Sequence, residues 1–272
     1  MLIQGEISMN RLFIRLWGVL QEEDKESINY QIANTLLTKA SSIKHTSSSS
    51  LAKLCNVSKP SISRFCKNLG YDDFYDFRAE LNQYIPDRGT KYNLEGFNAN
   101  EELDIGLNWM ESYLNKIEKN ISILKSPTFL KQVEELVKDI HDYNQVILMG
   151  NMQSGNTACN LHNNLHIPKN NILAITGLKC QISALNEKKP NRLFVIFSVS
   201  GEYYRALFPA GEIPIQSLDS KVWMITTNPA LRRVEGVDVI LNCKTGSDIA
   251  SSNICMELTA ELIAGCYWNK YQ

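Results

Sequence analysis

The chain has 272 residues, with 28 Lys or Arg against 29 Asp or Glu, so its formal net charge is −1. The hydrophobic fraction of 44% is that of a globular protein and supplies apolar surface for two domains. No stretch approaches the ~18 continuous apolar residues that a membrane span requires. The seven cysteines are dispersed without a CxxC pair, which favours reduced thiols in a cytoplasmic chain over a disulfide framework.

Amphipathic periodicity predicts a run of short helices in the N-terminal third of the chain. Two of them cover Met9–Leu20 and Glu26–Ala40, and a third follows the serine run Ser47–Ser50, whose hydroxyls can cap it. An aromatic helix that contains Phe74 and Phe77 closes the run. Short helices joined by tight turns predict an all-α domain over residues 1–85.

Charge is unevenly placed within this domain. From Thr38 to Gly70 the chain has six Lys or Arg residues and no Asp or Glu. Acidic residues lie on either side of this window, within Glu22–Glu26 and at Asp72 and Asp73. A cationic window of this kind indicates a nucleic-acid-binding surface, because charge distribution matters more than the net charge.

The fourth helix of the run, Lys59–Leu69, is the candidate recognition helix. It follows a tight turn that ends in Ser58, which can cap the helix, while Pro60 fits the first turn and Gly70 ends it. The i, i+3, i+4, i+7 spacing predicts a buried face made of Ile62, Phe65, Cys66 and Leu69. The predicted DNA-facing residues are Lys59, Ser61, Ser63, Arg64, Lys67 and Asn68. Their side chains suit a major groove, although a solvated face of a small helical bundle explains the pattern equally well.

A set of residues along this stretch follows a known family pattern. These are Leu51-Ala52, Val57-Ser58, Ser63-Arg64-Phe65-Cys66-Lys67, Leu69-Gly70-Tyr71, and Phe74 with Phe77. With them the stretch resembles the N-terminal domain of the RpiR family of bacterial transcriptional regulators. The resemblance implies a helix-turn-helix that binds a double-stranded DNA operator as a dimer.

Residues 86–103 are predicted to be a linker, because they hold Pro86, Gly89 and Gly96 among Asn and Asp residues without sustained periodicity. Two amphipathic helices follow, over Leu103–Leu124 and Phe129–His141.

Beyond these helices, five short β-branched apolar runs alternate with helical segments, as in buried parallel strands. The predicted strands are Val146–Met149, Ile172–Ile175, Leu193–Phe197, Val222–Thr226 and Val237–Leu241, before a last helix over Ile249–Tyr267. The predicted fold is therefore a multi-domain chain. An all-α helix-turn-helix domain precedes a doubly wound α/β domain, over residues 104–272, with a five-stranded parallel sheet.

Two serine-bearing loops follow strands at the edge where open α/β sheets bind ligands. Hydroxyls and backbone N–H groups at a helix N-terminus form a site for a phosphate or carboxylate. In a 2-1-3-4-5 sheet, loops after the first and third strands face one crevice. Either loop by itself is also explained as a simple turn. The candidate effector-binding residues are Ser154 and Gly155 in the first loop and Ser198, Ser200, Gly201 and Glu202 in the second.

From about Val146 to Cys266 the chain resembles the SIS (sugar isomerase) domain that RpiR regulators carry behind their helix-turn-helix. Gly150 and Ser154 match its first phosphosugar loop, and Ser198-x-Ser200-Gly201 matches its second. The resemblance implies a phosphorylated sugar or amino-sugar effector, and a homodimer or homotetramer formed through this domain.

Two positions differ from the family pattern in these loops. Met152 replaces the second glycine of the first loop, which reduces backbone approach to a ligand there. Tyr203 stands where the second loop has a Thr or Ser, which removes a small hydroxyl from the phosphate cradle.

Catalysis would need an acid and a base near a bound sugar. The candidates are Glu202, Glu257, His162 and His166. The two histidines have an i, i+4 spacing, but no third metal ligand follows at a recognisable spacing. We therefore predict no catalytic residue, no metal and no cofactor.

The predicted function is a cytoplasmic, DNA-binding transcriptional regulator that senses a phosphosugar and controls carbohydrate metabolism genes. One alternative is a sugar-phosphate isomerase-like enzyme with an accessory helical domain. Another is a regulator whose SIS-like domain only dimerises.

Overall fold

The computed structural model describes residues 11–39, 43, 45–83, 105–208, 220–247, 249 and 251–272. The chain forms two compact units, one built on Ser8–Arg88 and the other on Gly89–Tyr204 and Glu212–Gln272. The predicted domain boundaries at 85 and 104, and the linker over 86–103, lie outside the described residues.

The first unit is helical. Three of its helices begin at a serine whose hydroxyl accepts a hydrogen bond from the N–H three residues on, namely Ser27, Ser47 and Ser58. These caps satisfy backbone donors that have no partner inside the helix. The helices are α1 (Arg11–Glu22), α2 (Ile28–Thr38), α3 (Ser48–Leu54), α4 (Lys59–Asn68) and α5 (Phe74–Gln83).

The described residues of the helical unit form an apolar cluster to which α1, α2, α3, α4 and α5 all contribute, including Leu16, Ile32, Leu51, Phe65 and Phe77. Because each helix is short, its stability comes from burying one face in this cluster rather than from intrinsic propensity. The prediction of a small all-α unit in this part of the chain is confirmed.

The second unit is an α/β structure. Two helices come before its sheet, α6 (Ile105–Ile121) and α7 (Pro127–Asp142), with a 3-10 turn over Ser122–Lys125 between them. The strands are β1 (Gln145–Gly150), β2 (Ile172–Ile175), β3 (Arg192–Ser198), β4 (Lys221–Thr226) and β5 (Val239–Asn242). The helices between and after them are α8 (Gln153–Leu165), α9 (Leu178–Asn186), α10 (Tyr203–Ala206) and α11 (Ser252–Tyr271).

The sheet has the order β2-β1-β3-β4-β5, and every neighbouring pair is parallel. All seven residues of β3 are buried, and its apolar run Leu193–Phe197 is typical of a central strand covered on both faces. One apolar cluster joins the sheet to α7, α8 and α11. The predicted fold class is confirmed.

The register places Gly150, the last residue of β1, beside Phe197 of β3. The carboxyl ends of these two strands therefore lie next to each other at one edge of the sheet, where the strand order changes direction. Within the described part of the chain, no helix is both long and apolar enough to cross a bilayer.

Candidate functional site

The first candidate site is the α3–turn–α4 element of the helical unit. Asn56 takes the left-handed conformation at φ 52°, and the N–H of Val57 donates to the carbonyl of Ala52 at 2.9 Å. The Gln31 side chain, from α2, donates to the carbonyl of Cys55 at 2.9 Å. Asparagine tolerates this backbone better than most residues, so the sequence fixes a sharp turn between the two helices.

Helix α4 has two chemically distinct faces. Ile62, Phe65, Cys66 and Leu69 are buried as predicted, and the Phe65 ring meets that of Phe77 edge-on with centroids 6.4 Å apart. Burial raises the pKa of the Cys66 thiol to about 12, so this cysteine stays neutral in the core. The opposite face is exposed and carries Lys59, Ser63, Arg64, Lys67 and Asn68.

Ser61 does not belong to the exposed face, and its predicted outward orientation is wrong. Its residue surface is only 6% exposed. Its hydroxyl lies 2.9 Å from that of Ser58 and accepts a hydrogen bond from Arg64 Nη2 at 3.3 Å. The reason is its place in the first turn, where its N–H donates to the capping hydroxyl of Ser58 at 3.3 Å. The buried hydroxyl of Ser61 therefore orients the side chain of Arg64.

The C-terminus of α4 is held by a residue that sequence reasoning missed. Arg15 of α1 is 5% exposed and donates from Nη1 to the carbonyl of Leu69. Its guanidinium carbon lies 5.4 Å from the centroid of the Tyr71 ring. The Tyr71 hydroxyl in turn donates to Glu80 at 2.7 Å. A cation at a helix C-terminus satisfies carbonyls that lack partners and interacts favourably with the helix dipole.

The second candidate site is the edge of the sheet where β1 and β3 end. In its first loop, Gly150 cannot be replaced by a larger residue, because a Cβ there would lie 2.5 Å from the carbonyl oxygen of Ser154. Met152 has φ 52° and ψ −123°, a backbone that non-glycine residues rarely adopt. The loop thus keeps a backbone suited to glycine although the residue is methionine.

Ser154 and Gly155 of this first loop make their hydrogen bonds within the protein, whereas the buried Nδ2 of Asn151 has no hydrogen-bond partner among the described residues. The Ser154 hydroxyl is buried and donates to the Met256 sulfur of α11 at 3.6 Å, so it contacts the core rather than the loop. The N–H groups of Ser154 and Gly155 both donate to the carbonyl of Asn151, at 3.1 and 3.3 Å. Ser154 and Gly155 therefore shape the loop, and a direct contact with an effector stays a prediction.

The second loop is held by hydrogen bonds between its backbone N–H groups and its own serine hydroxyls. Ser198 is buried, and its Oγ accepts from the N–H groups of Gly201 at 3.1 Å and Tyr203 at 3.4 Å. The half-buried Ser200 accepts from the N–H of Glu202 at 3.3 Å. Gly201 has φ 88°, and its hydrogen faces the Leu231 side chain where a Cβ would clash. These bonds hold the loop in a tight turn after β3.

A buried amide joins the two loops. Gln181 of α9 is fully buried and donates from Nε2 to the carbonyls of Gly150 at 2.9 Å and Ile175 at 2.6 Å. The hydroxyl of Tyr203, which is 2% exposed, donates to its Oε1. One side chain thereby connects the ends of β1 and β2 to the helix that follows β3. Sequence reasoning did not identify Gln181, and a polar residue on a short helix gave no signal for it.

The remaining catalytic candidates, Glu257, His162 and His166, take part in other contacts. Glu257 accepts hydrogen bonds from Thr157 at 2.9 Å and Asn160 at 2.7 Å, so it helps join α11 to α8. The rings of His162 and His166 stack, with centroids 5.5 Å apart. Across the residues that the structure describes, no group of three or more His, Cys, Asp or Glu is arranged to hold a metal ion.

The tight turn, the buried face of α4 and its exposed cationic face define a helix-turn-helix DNA-binding domain. Residues 21–88 match the family described as "Helix-turn-helix domain, rpiR family". The N-terminal unit of this chain is therefore a helix-turn-helix domain of the rpiR family. The match ends before the α/β unit and begins after Arg15, although α1 belongs to the same apolar cluster.

Two curated relatives are both named as HTH-type transcriptional regulators. An uncharacterised HTH-type transcriptional regulator of Haemophilus influenzae is 28% identical over 139 residues, which cover 50% of this chain and 47% of the relative. The HTH-type transcriptional regulator GlvR of Bacillus subtilis is 23% identical over 176 residues, which cover 64% of this chain and 61% of GlvR. The chain thus spans less than two thirds of the length of either relative.

A solved structure is similar over most of the chain. It is the NanR protein of Vibrio vulnificus complexed with ManNAc-6P, which is 16% identical with a TM-score of 0.45. The similarity covers 96% of this chain and 92% of NanR.

Proposed function

We propose that this chain is a DNA-binding transcriptional regulator whose helix α4 reads an operator in the major groove. The observation that carries the proposal is the exposed cationic face of α4, with Lys59, Arg64 and Lys67, on an rpiR-family helix-turn-helix. Arg and Lys pair with guanine edges and phosphates. The names of the two bacterial relatives agree with this role. It requires access to the chromosome, and hence a cytoplasmic location, and needs no catalysis, metal or cofactor.

Arg64 is the residue best prepared for a base contact. It lies in the middle of α4, and its guanidinium is already oriented by the hydrogen bond to the buried Ser61 hydroxyl. A side chain that is held before binding loses less rotamer freedom when it contacts its target. Lys67 and Asn68 lie one turn further on and complete the exposed face.

The test uses DNA that the protein itself selects. Duplexes enriched from a random library by the full chain serve as probes, and fluorescence anisotropy gives Kd at several salt concentrations. Arg64→Ala is expected to weaken binding about 10–100-fold, and Lys67→Ala to reduce the salt dependence by about one counterion. Arg233→Ala, an exposed arginine of the α/β unit, is the matched control and should bind like the wild type. Wild-type affinity in Arg64→Ala would show that α4 is not the recognition helix.

For the α/β unit we propose an effector site for a phosphorylated sugar or amino sugar, within a homodimer or homotetramer. Two observations support this proposal. The two predicted loops follow neighbouring parallel strands, and Ser200 and Glu202 of the second loop are partly exposed to solvent. Such an effector alters DNA binding only if it prefers one of two arrangements of the protein.

A calorimetric screen of hexose and amino-hexose 6-phosphates tests the effector site. Ser200→Ala should abolish the response, while Ser183→Ala, an exposed serine on α9, should not change it. DNA binding without ligand should be unaffected by either change. A panel with no ligand whose binding depends on Ser200 would rule out this site. The same panel offered as substrates should show no isomerisation.

A further inference from the structure

We infer that Tyr203 and Gln181 control access to the crevice between the β1 and β3 loops, and that an effector enters only when their hydrogen bond opens. The inference rests on the proposed effector site in the α/β unit. It adds a specificity-determining pair of residues that the loops themselves do not reveal.

The position of the Tyr203 side chain is the first observation. The residue is 2% exposed, and its hydroxyl donates to Gln181, which is bound to the carbonyl of Gly150 at the end of β1. The hydroxyl therefore reaches from the helix after β3 to Gln181, the residue whose amide is bound to the end of β1. This is the place where a ligand of an open parallel sheet binds. In the closed arrangement, a protein side chain fills part of that space.

The second observation concerns the donors that a phosphate would need. The N–H groups of Gly201 and Tyr203 are directed at the hydroxyl of Ser198. A phosphoryl oxygen at this loop would have to replace those bonds rather than add to them. The Tyr203 N–H and the Tyr203 hydroxyl belong to one residue, so a backbone movement that takes Tyr203 away from Gln181 also draws its N–H away from Ser198.

Gln181 explains why the arrangement stays closed. Its amide makes three hydrogen bonds without any exposed surface. If Tyr203 leaves, the amide oxygen loses its donor inside the protein unless a ligand hydroxyl supplies a new one. A sugar provides such hydroxyls next to its phosphate. This pair thus favours ligands that carry a hydroxyl at the distance that Tyr203 spans, over inorganic phosphate alone.

The chain offers a matched pair of variants. Tyr203→Phe removes the bond to Gln181 and keeps the ring. Tyr204→Phe alters the adjacent residue, which is 1% exposed and donates to the carbonyl of Gly236 at 3.3 Å, away from Gln181. If the protein must open before it binds, weakening the closed form tightens apparent binding by the gain in the open fraction. One neutral hydrogen bond corresponds to about a fivefold effect.

The first measurement is calorimetric titration of the wild type and both variants with glucose 6-phosphate, fructose 6-phosphate, glucosamine 6-phosphate and N-acetylmannosamine 6-phosphate. We expect about fivefold tighter binding by Tyr203→Phe and wild-type binding by Tyr204→Phe. Equal affinities in all three proteins would overturn control by Tyr203 and leave the effector site standing. Absence of binding in all three would overturn the phosphosugar effector.

The second measurement needs no ligand. Hydrogen exchange of the amides in 198–203 should be about fivefold faster in Tyr203→Phe than in the wild type, because the Tyr203 hydroxyl holds this loop closed. Tyr204→Phe should exchange there like the wild type. Unchanged exchange in Tyr203→Phe would overturn the inference even if no ligand of the panel binds.

Discussion

Replacement of Arg15 by methionine should loosen the recognition helix from a distance. Methionine keeps most of the volume and the apolar stem of arginine but removes the guanidinium. The carbonyl of Leu69 then loses its charged donor, and the Tyr71 ring loses the cation 5.4 Å away. Both contacts lie at the C-terminal end of α4. The residues that make them, Arg15, Leu69 and Tyr71, are at most 6% exposed, so water does not readily replace the lost contacts.

The magnitude follows from the contacts that are lost. A hydrogen bond from a charged group contributes about 1.5–3 kcal/mol, and a shielded cation–π contact about 1 kcal/mol. Part of this lost stabilisation is offset, because the variant no longer has the cost of burying the Arg15 charge. We therefore expect a net loss of about 2 kcal/mol in the helical unit. That loss is about a 30-fold change in its opening equilibrium.

Hydrogen exchange measured by mass spectrometry on the full chain is a suitable assay, because it reports each unit separately. Amides of α4 should exchange about 30-fold faster in Arg15→Met, while those of β3 in the α/β unit keep their rates. Arg78→Met is the matched control, since Arg78 lies 5.4 Å from the ring of Tyr75, which is 72% exposed. It should change α4 exchange by less than about threefold. Equal exchange of α4 in the two variants would refute the idea that Arg15 fixes the end of this helix.

Two further predictions concern stability. Met152→Gly should raise the free energy of unfolding of the α/β unit, measured in urea, by about 1 kcal/mol, because glycine adopts the φ 52° backbone without strain. The control Gln153→Gly lies one residue further on, in helix α8, and should lower this free energy by about 0.5–1 kcal/mol. Burial raises the pKa of Cys66 from 9.0 to about 12, so the folded helical unit holds this proton more tightly than the unfolded chain and loses stability as the pH rises above 9. The free energy of unfolding of the helical unit in urea should therefore fall by about 1 kcal/mol more between pH 9 and 10 in the wild type than in Cys66→Ala, and parallel losses would contradict this assignment.

Features that depend on neighbours along the chain could be predicted from the sequence. The buried face of α4 follows from the spacing of Ile62, Phe65, Cys66 and Leu69, because side chains three and four apart share one side of a helix. The five strands are marked by short β-branched runs, and the serine caps by their position before each helix. Ser61 shows the limit of such patterns. It lies outside the i, i+3, i+4, i+7 set and is therefore predicted to face outward, but the hydrogen bonds of the first turn hold its hydroxyl against Ser58.

Features that depend on distant residues could not be predicted. Arg15 meets a carbonyl 54 positions away, and Gln181 bonds to one 31 positions away. Neither residue stands out by type or spacing, since the partner is defined only when the helices pack. The conformation of Met152 is a local feature that its residue type does not predict. Its residue type argues against a glycine-like backbone, yet the close approach of Gly150 to Ser154 requires that turn.

The hydrogen bond between Tyr203 and Gln181 also has an evolutionary consequence. A buried amide whose oxygen depends on one hydroxyl makes the two positions interdependent, because loss of Tyr203 alone removes the donor to the Gln181 oxygen and loss of Gln181 alone removes the donor to the carbonyl of Gly150. Descendants of a common ancestor should therefore exchange both residues together or neither. Where a tyrosine and a glutamine occur jointly at these positions, a restricted crevice is expected. A small hydroxyl residue paired with a different side chain on α9 would mark relatives whose crevice is open from the start.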